Sequence, residues 1–124
     1  KVRIHPMNLE SLRDLCLGLP DCTEDLPFDQ NTLAFRALGK IFVLTDLIQS
    51  DRFNAKCDPA WALELRERYP NEILPGYHMN KKHWNTVRMD GRIPNPLLEA
   101  LVRHAHALVH PVYRKTAGDF IHLP

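Results

Sequence analysis

The chain has 124 residues, of which 44% are hydrophobic and 25% are charged, and its formal net charge is +1. This length predicts one domain with a single core, and the small net charge argues against polyanion binding over the whole surface. No apolar run approaches the roughly 20 residues that cross a bilayer. The three cysteines show no CxxC spacing, so they do not form a disulfide framework. We therefore expect a cytoplasmic protein without membrane association.

The charges are unevenly distributed along the sequence. Residues 7–51 contain 8 acidic and 3 basic residues, a net charge of −5, whereas residues 52–124 contain 7 acidic and 11 basic residues, a net charge of +4. Any contact with nucleic acid would therefore need a local basic patch. We expect residues 1–6 to be a tag or an N-terminal extension, residues 7–110 to form the domain, and residues 111–124 to be a loosely held tail.

The first predicted element is a helix over residues 9–17. Its apolar face repeats at helical spacing and consists of Leu9, Leu12, Cys16 and Leu19. Asn8 is a candidate N-cap, and Gly18 marks the C-terminal end.

Four strands are predicted next, within residues 21–29 and at residues 32–38, 41–45 and 52–57. The first contains Pro27, which is tolerated at the edge of a sheet. Gly39-Lys40 separates the second and third strands and is typical of a hairpin turn. In the fourth, the alternation places Phe53, Ala55 and Cys57 toward the core, and Arg52, Asn54 and Lys56 face away from it.

Two further helices and a basic hairpin complete the predicted elements. One helix begins after the candidate cap Asp58 and ends at Pro70, and another begins at Asn95-Pro96, where Asn95 is the candidate cap. Between them, two short strands flank a polar tip. The element order predicts an α+β fold, a two-layer sandwich in which helices cover one face of an antiparallel sheet of five to six strands.

Five segments then carry a resemblance to a known family. They are Pro27-Phe28, Gly39-Lys40-Ile41-Phe42, Lys56-Cys57-Asp58-Pro59, Asp90-Gly91 and, most specifically, Pro75-Gly76-Tyr77-His78-Met79-Asn80-Lys81-Lys82-His83-Trp84-Asn85. Together they resemble the MmcQ/YjbR family over about Leu9 to Val109. The resemblance implies a fold similar to that of bacterial frataxin. It also implies DNA binding, for which paired hairpins called a double wing are the proposed contact surface.

Basic side chains at the hairpin tip and on one sheet face form the candidate site. Strand parity places the basic residues of several strands on the face away from the core, beside the tip. The predicted nucleic-acid-binding residues are Arg36, Arg52, Lys56, Lys81, Lys82, His83, Trp84 and Arg88. Protonated His78 would add charge. No residue is positioned to read bases, so we predict phosphate contacts without sequence specificity. Two plainer interpretations stay open: the tip is a solvated turn, and Trp84 is a core anchor.

Catalytic and metal sites have less support. The sequence contains no nucleophile-elbow, P-loop or dinucleotide motif, and Cys57 is expected to be a buried thiol. His106 and His110 are four residues apart, which suits chelation, but no third ligand accompanies them. The predicted first helix carries only Glu10 and Asp14, unlike the acidic ridge of frataxins. We therefore predict no enzyme activity, cofactor or resident metal.

Two alternatives to DNA binding remain at this point. One is a protein-interaction or regulatory module that uses Tyr77, Trp84 and the acidic loop after the first helix. The weaker one is frataxin-like metal binding.

Overall fold

Six antiparallel strands and three α-helices form the two layers of the domain. The computed structural model describes residues 6–77 and 79–121. The helices are α1 (Leu9–Leu17), α2 (Pro59–Arg68) and α3 (Asn95–Val109), followed by a 3₁₀ helix at Arg114–Phe120. The strands are β1 (Cys22–Asp25), β2 (Thr32–Ala37), β3 (Lys40–Asp46), β4 (Arg52–Lys56), β5 (Ile73–Pro75) and β6 (Trp84–Arg88). Their order in the sheet is β1-β2-β3-β4-β6-β5, which confirms the predicted α+β class.

The first two helices begin at the caps that the sequence predicts. Asn8 accepts from Ser11 N–H at 2.9 Å, and the Ser11 hydroxyl accepts in return from Asn8 N–H at 2.8 Å. This reciprocal pair satisfies two N–H groups that have no partner within the helix. Asp58 caps α2 by accepting from Trp61 N–H at 3.1 Å.

The start of α3 differs from the prediction. Pro94, not Asn95, occupies the N-cap position and provides no side-chain cap. Asn95 lies in the first turn, where its side-chain oxygen accepts from Met7 N–H at 3.3 Å. This amide therefore joins α3 to the residue just before α1, a long-range contact that local sequence does not encode.

A β-bulge explains the apolar run in β3. Phe35 pairs with Val43 and Arg36 pairs with Ile41, so Phe42 is the extra residue. Phe42 and Val43 are consequently both buried in the core, although consecutive residues of a regular strand face opposite sides.

The two histidines of α3 and the C-cap residue His110 are engaged within the fold. His104 is fully buried; its Nε2 accepts from Asp58 N–H at 3.0 Å, and its Nδ1 lies 2.7 Å from Ala117 O. Because a backbone amide can only donate, the ring is neutral, with its proton on Nδ1. His106 Nε2 donates to Pro20 O at 2.8 Å, and His110 Nε2 lies 2.8 Å from an Asp21 carboxylate oxygen. Over the described ranges, no group of three potential metal ligands is present.

The segment after Pro111 is packed more closely than we expected. The 3₁₀ helix lies against α3, and Ala117 is buried where His104 donates to its carbonyl. Ala117, Phe120 and Ile121 contact the core without helical or strand periodicity, so the sequence pattern missed this contact. Residues 1–5 and 122–124, which include most of the expected extension and the end of the expected tail, lie outside the described part of the chain.

Three further features concern the cysteine Cys57, the helices and the edge strands of the sheet. Cys57 is buried, as predicted, and burial raises the pKa of its thiol to about 12. None of the helices within the described residues is both long and apolar enough to cross a membrane. The two edge strands are short: β1 has four residues, and β5 has three and ends at Pro75.

Candidate binding surface on the open face of the sheet

The open face is the side of the sheet opposite α1, α2 and α3. On the covered side, core residues such as Phe53 and Val87 lie beneath the helices. The alternate positions of β4 and β6 form three cross-strand pairs on the open face. These pairs are Arg52 with Arg88, Asn54 with Thr86, and Lys56 with Trp84. The register thus brings four of the predicted site residues together on one surface.

Each arginine of the open face is paired with a carboxylate. The ion pairs are Arg36 with Asp25, Arg52 with Asp51, and Arg88 with Asp90, each with a nitrogen–oxygen distance of 2.9 Å. The hydrogen bonds from the arginines lower the pKa of Asp51 and of Asp90, so both acids are ionised at neutral pH. The arginine part of the surface is therefore electrically balanced.

The lysine end of the open face consists of Lys56, Lys81 and Lys82. Lys81 and Lys82 are exposed in the loop that joins β5 to β6, and Lys56 lies at the end of β4, directly opposite Trp84. Within the described residues, none of the three lysines has an acidic partner at ion-pair distance. Lysine charge without an ion-pair partner is thus concentrated where β4 ends and β6 begins, two residues before Asp58.

Hydrogen bonds to backbone groups hold residues 80–83 of the loop in place. Arg66 of α2 donates to Lys81 O at 2.7 Å, and Cys57 N–H donates to His83 O at 2.8 Å. Asn80 supports the turn by accepting from Lys82 N–H at 2.9 Å. The lysines are therefore held at a defined position on the domain. His78, which the sequence suggests as a further charge, lies outside the described residues.

Trp84 belongs to the open face and not to the core. It is half-buried, and it is absent from the buried cluster beneath the helices. Together with Asn80, His83 and Lys56 it lines a cavity of about 370 Å³ at the end of the sheet, to which Arg114 of the 3₁₀ helix also contributes. Sequence reasoning missed Arg114, because only the packing of the last segment brings it there.

Gly76 holds the loop against β6, and we predict that Gly76→Ala displaces it. A Cβ at position 76 would lie 2.8 Å from Trp84 Cβ and 3.0 Å from Trp84 O, so the backbone must shift. We expect a loss of about 1–3 kcal/mol in the free energy of unfolding, measured by urea denaturation. Gly118→Ala is the matched control, since its Cβ meets nothing within 4 Å. Equal stability of the two variants would contradict the prediction.

The two ends of the strands carry opposite charges. The acidic end carries Asp25, Asp29, Asp46, Asp51 and Asp90 beside Arg52 and Arg88, and the opposite end carries Lys40, Lys56, Lys81 and Lys82 beside Asp21 and Asp58, so the net charges of the two ends differ in sign. Leu26, Phe28, Leu47 and Ile48 are exposed at the acidic end, and the largest exposed fractions are 67% for Phe28 and 77% for Ile48. The Leu47 N–H bond to Asn31 O, 2.7 Å long, joins the two loops that contain them.

This protein has an antiparallel sheet with helices on one face and an uncovered, charged second face. That arrangement defines a class of small α+β proteins. The family model YjbR matches residues 17–108, and this chain belongs to the YjbR family. YbdF of Escherichia coli O157:H7 is 39% identical over 101 residues, which cover 81% of this chain and 82% of YbdF. YjbR of Escherichia coli K12 is 25% identical over 97 residues, covering 77% of this chain and 81% of YjbR. Both relatives are named as uncharacterized proteins.

Solved structures share the architecture. The crystal structure of Deinococcus radiodurans protein DR2400 is 41% identical and superimposes with a TM-score of 0.80, covering 92% of this chain and 91% of that one. A crystal structure from Pseudomonas syringae, at 24% identity, has a TM-score of 0.70 over 84% of this chain and 100% of its own. The second likeness concerns the fold alone.

Proposed function

We propose that this protein is a non-enzymatic binding module that contacts the nucleic-acid backbone through the lysine end of its open face. The observation that carries the proposal is the cluster of Lys56, Lys81 and Lys82 without acidic partners, next to the half-buried ring of Trp84. Ammonium groups bind phosphates as point charges, and an aromatic ring beside them offers a stacking surface for a base.

The arginines of the open face play a smaller part in this proposal than the sequence suggested. A phosphate would have to displace Asp25, Asp51 or Asp90 before it could pair with them. Exposed ion pairs contribute only about 0–1 kcal/mol, so such an exchange is feasible. It gains little, however, because the neighbouring carboxylate remains and repels the phosphate.

Two observations favour a non-enzymatic role. Burial raises the pKa of Cys57 to about 12 and that of Cys22 to about 11, so neither thiol is an effective nucleophile at neutral pH. Both ring nitrogens of His104, and Nε2 of His106, bond to backbone groups inside the fold.

A salt titration of DNA binding tests the proposal. We expect an affinity in the micromolar range at low salt, and a log–log slope of about −2 to −3 against salt concentration, because three lysines replace three counterions. Fluorescence anisotropy of a labelled oligonucleotide measures both quantities. Binding weaker than millimolar at low salt would sink the proposal, as would a slope near zero.

The acidic end supports one alternative, a protein-interaction module. Exposed Phe28 and Ile48 beside ionised carboxylates suit a partner that presents apolar and basic side chains. On this alternative, Phe28→Ser with Ile48→Ser would abolish capture of that partner, whereas charge reversal at the lysine end would leave the capture intact.

A further inference from the structure

A cavity of about 450 Å³ opens on the sheet face beside Asn54 and the paired arginine Arg52. Its volume lies within the range of small-molecule sites. The lining residues come from β3, β4, β5 and β6 and from two adjoining loops. They are Thr45, Asp46, Gln49, Arg52, Asn54, Leu74, Pro75, Tyr77 and Thr86.

Hydrogen bonds fix the orientation of the Asn54 amide in this cavity. Thr86 Oγ accepts from Tyr77 N–H at 3.2 Å and donates to Asn54 Oδ1 at 2.5 Å. The carbonyl oxygen of Asn54 is therefore occupied. Its NH₂ group has no bond to another described residue and remains available as a donor on the open face.

The remaining lining adds a further donor, an apolar wall and the Asp46 carboxylate, one oxygen of which accepts from Ile48 N–H and Gln49 N–H. The Nε and Nη2 groups of Arg52 bind Asp51, which leaves Nη1 available. Opposite these donors lie Leu74, Pro75 and the ring of Tyr77, whose side chain is 72% exposed. A flat, partly apolar ligand with hydrogen-bond acceptors on its edge satisfies both sides of the cavity.

We infer that this cavity binds one unstacked base of a single-stranded nucleic acid, with the carbonyl-bearing edge of a pyrimidine toward Asn54. The inference rests on the proposed function, since the lysine end would hold the phosphates of the same strand. Asn54 and Lys56 lie two residues apart on the same face of β4, about 7 Å along the strand. A phosphate bound at Lys56 therefore brings its nucleotide to Asn54. Duplex bases are stacked and paired, so they do not enter such a cavity.

The sequence predicts no residue that contacts a base, and the role of Asn54 changes that expectation. Strand parity already places Asn54 on the open face, but an asparagine between charged residues carries no signal of its own. Only the bond from Thr86 shows that its amide presents donors. Base contact at this position would add a modest preference to the phosphate binding, which is otherwise independent of sequence.

Binding of an oligothymidylate and of an abasic strand of equal length tests the inference. Asn54→Asp keeps the oxygen that accepts from Thr86 and replaces the NH₂ donor by an acceptor. We expect it to weaken oligothymidylate binding by about fivefold to tenfold and abasic binding by less than about twofold. Thr23→Asp, on the open face of β1 and outside the cavity, adds the same charge and is expected to leave both affinities nearly unchanged.

Tyr77→Leu is the second variant, since the exposed ring can be removed without opening the core. It is expected to lower the affinity for oligothymidylate alone, by about fivefold or more, because a stacking contact is lost.

The outcomes distinguish the inference from the proposed function. If Asn54→Asp lowers the affinity for the oligothymidylate and for the abasic strand equally, the effect is charge repulsion and the inference is overturned. Binding of a duplex as tightly as a single strand would also overturn it. Either result leaves the proposed function standing if the salt dependence holds. Absence of binding to every strand at low salt would overturn both.

Discussion

Lys81→Glu with Lys82→Glu is expected to reduce DNA affinity at low salt by about 100-fold or more. The two substitutions remove two phosphate contacts and place two negative charges where the loop meets the backbone. The log–log salt slope should become shallower by about 2, because two fewer counterions are released. Anisotropy titrations at several salt concentrations measure both changes.

The matched control is Arg92→Glu with Arg103→Glu. Both arginines are exposed and lie outside the lysine end, and the change in net charge is the same. If the control variant loses as much affinity as the lysine variant, then total charge and not the loop determines binding. If neither variant loses affinity, the lysine end has no role in binding.

His104→Leu is expected to lower the free energy of unfolding by about 2–5 kcal/mol. Leucine has a similar size but leaves Asp58 N–H and Ala117 O without their partners, and a buried unpaired polar group costs about 1–3 kcal/mol. The edge-on contact with the Trp61 ring, 4.8 Å between centroids, is lost as well. We expect Tm to fall by roughly 10 °C. Glu99→Gln, an exposed change on the same helix, should have almost no effect.

The same histidine makes stability depend on pH. Burial lowers the pKa of His104 and of His106 below the ordinary value of 6.5. Below about pH 6.5 the unfolded chain therefore binds protons that the folded chain does not, and stability falls as the pH falls. Thermal denaturation between about pH 8 and pH 5 should show this loss, and His104→Leu should flatten the curve. An equal slope in both proteins would exclude His104 as the source.

The local elements were predictable from the sequence because their signals are local. Caps at Asn8 and Asp58, the spacing of leucines in α1, and the alternation of Arg52–Lys56 all act within a few residues. Strand parity also sufficed to place Arg36, Arg52, Lys56 and Arg88 on one face, as the register shows. Parity survives in β2 because the bulge inserts its extra residue into β3.

The balance of charge on that face was not predictable in the same way. Strand parity gives the side of the sheet but not the neighbour that a long side chain reaches. Arg36 meets Asp25 across β1 and β2, whereas Arg52 and Arg88 meet acids in loops beside their own strands. Among the described residues, such pairing leaves only Lys56, Lys81 and Lys82 of the six cations in the expected basic patch without a carboxylate partner.

The contacts that join distant segments were likewise invisible in the sequence. The bond between His104 and Ala117, the bond between Asn95 and Met7, and the placement of Arg114 depend on how the last segments dock. The adjacency of β4 and β6, separated in sequence by α2 and β5, forms the cavity around Asn54. The hydrophobic periodicity of a sequence does not indicate which non-consecutive strands will be neighbours in the sheet.

The short outer strands have a consequence for the behaviour of the protein at high concentration. A sheet with one bare face is exposed to association, and unpaired backbone groups at its margins could recruit further chains into fibrils. On one margin β1 is only four residues long, carries Glu24 and Asp25, and is soon followed by Pro27. On the other, β5 stops after three residues at a proline that has no N–H to offer. The edge strands therefore disfavour edge-to-edge pairing between sheets of neighbouring molecules, although one face of the sheet is uncovered.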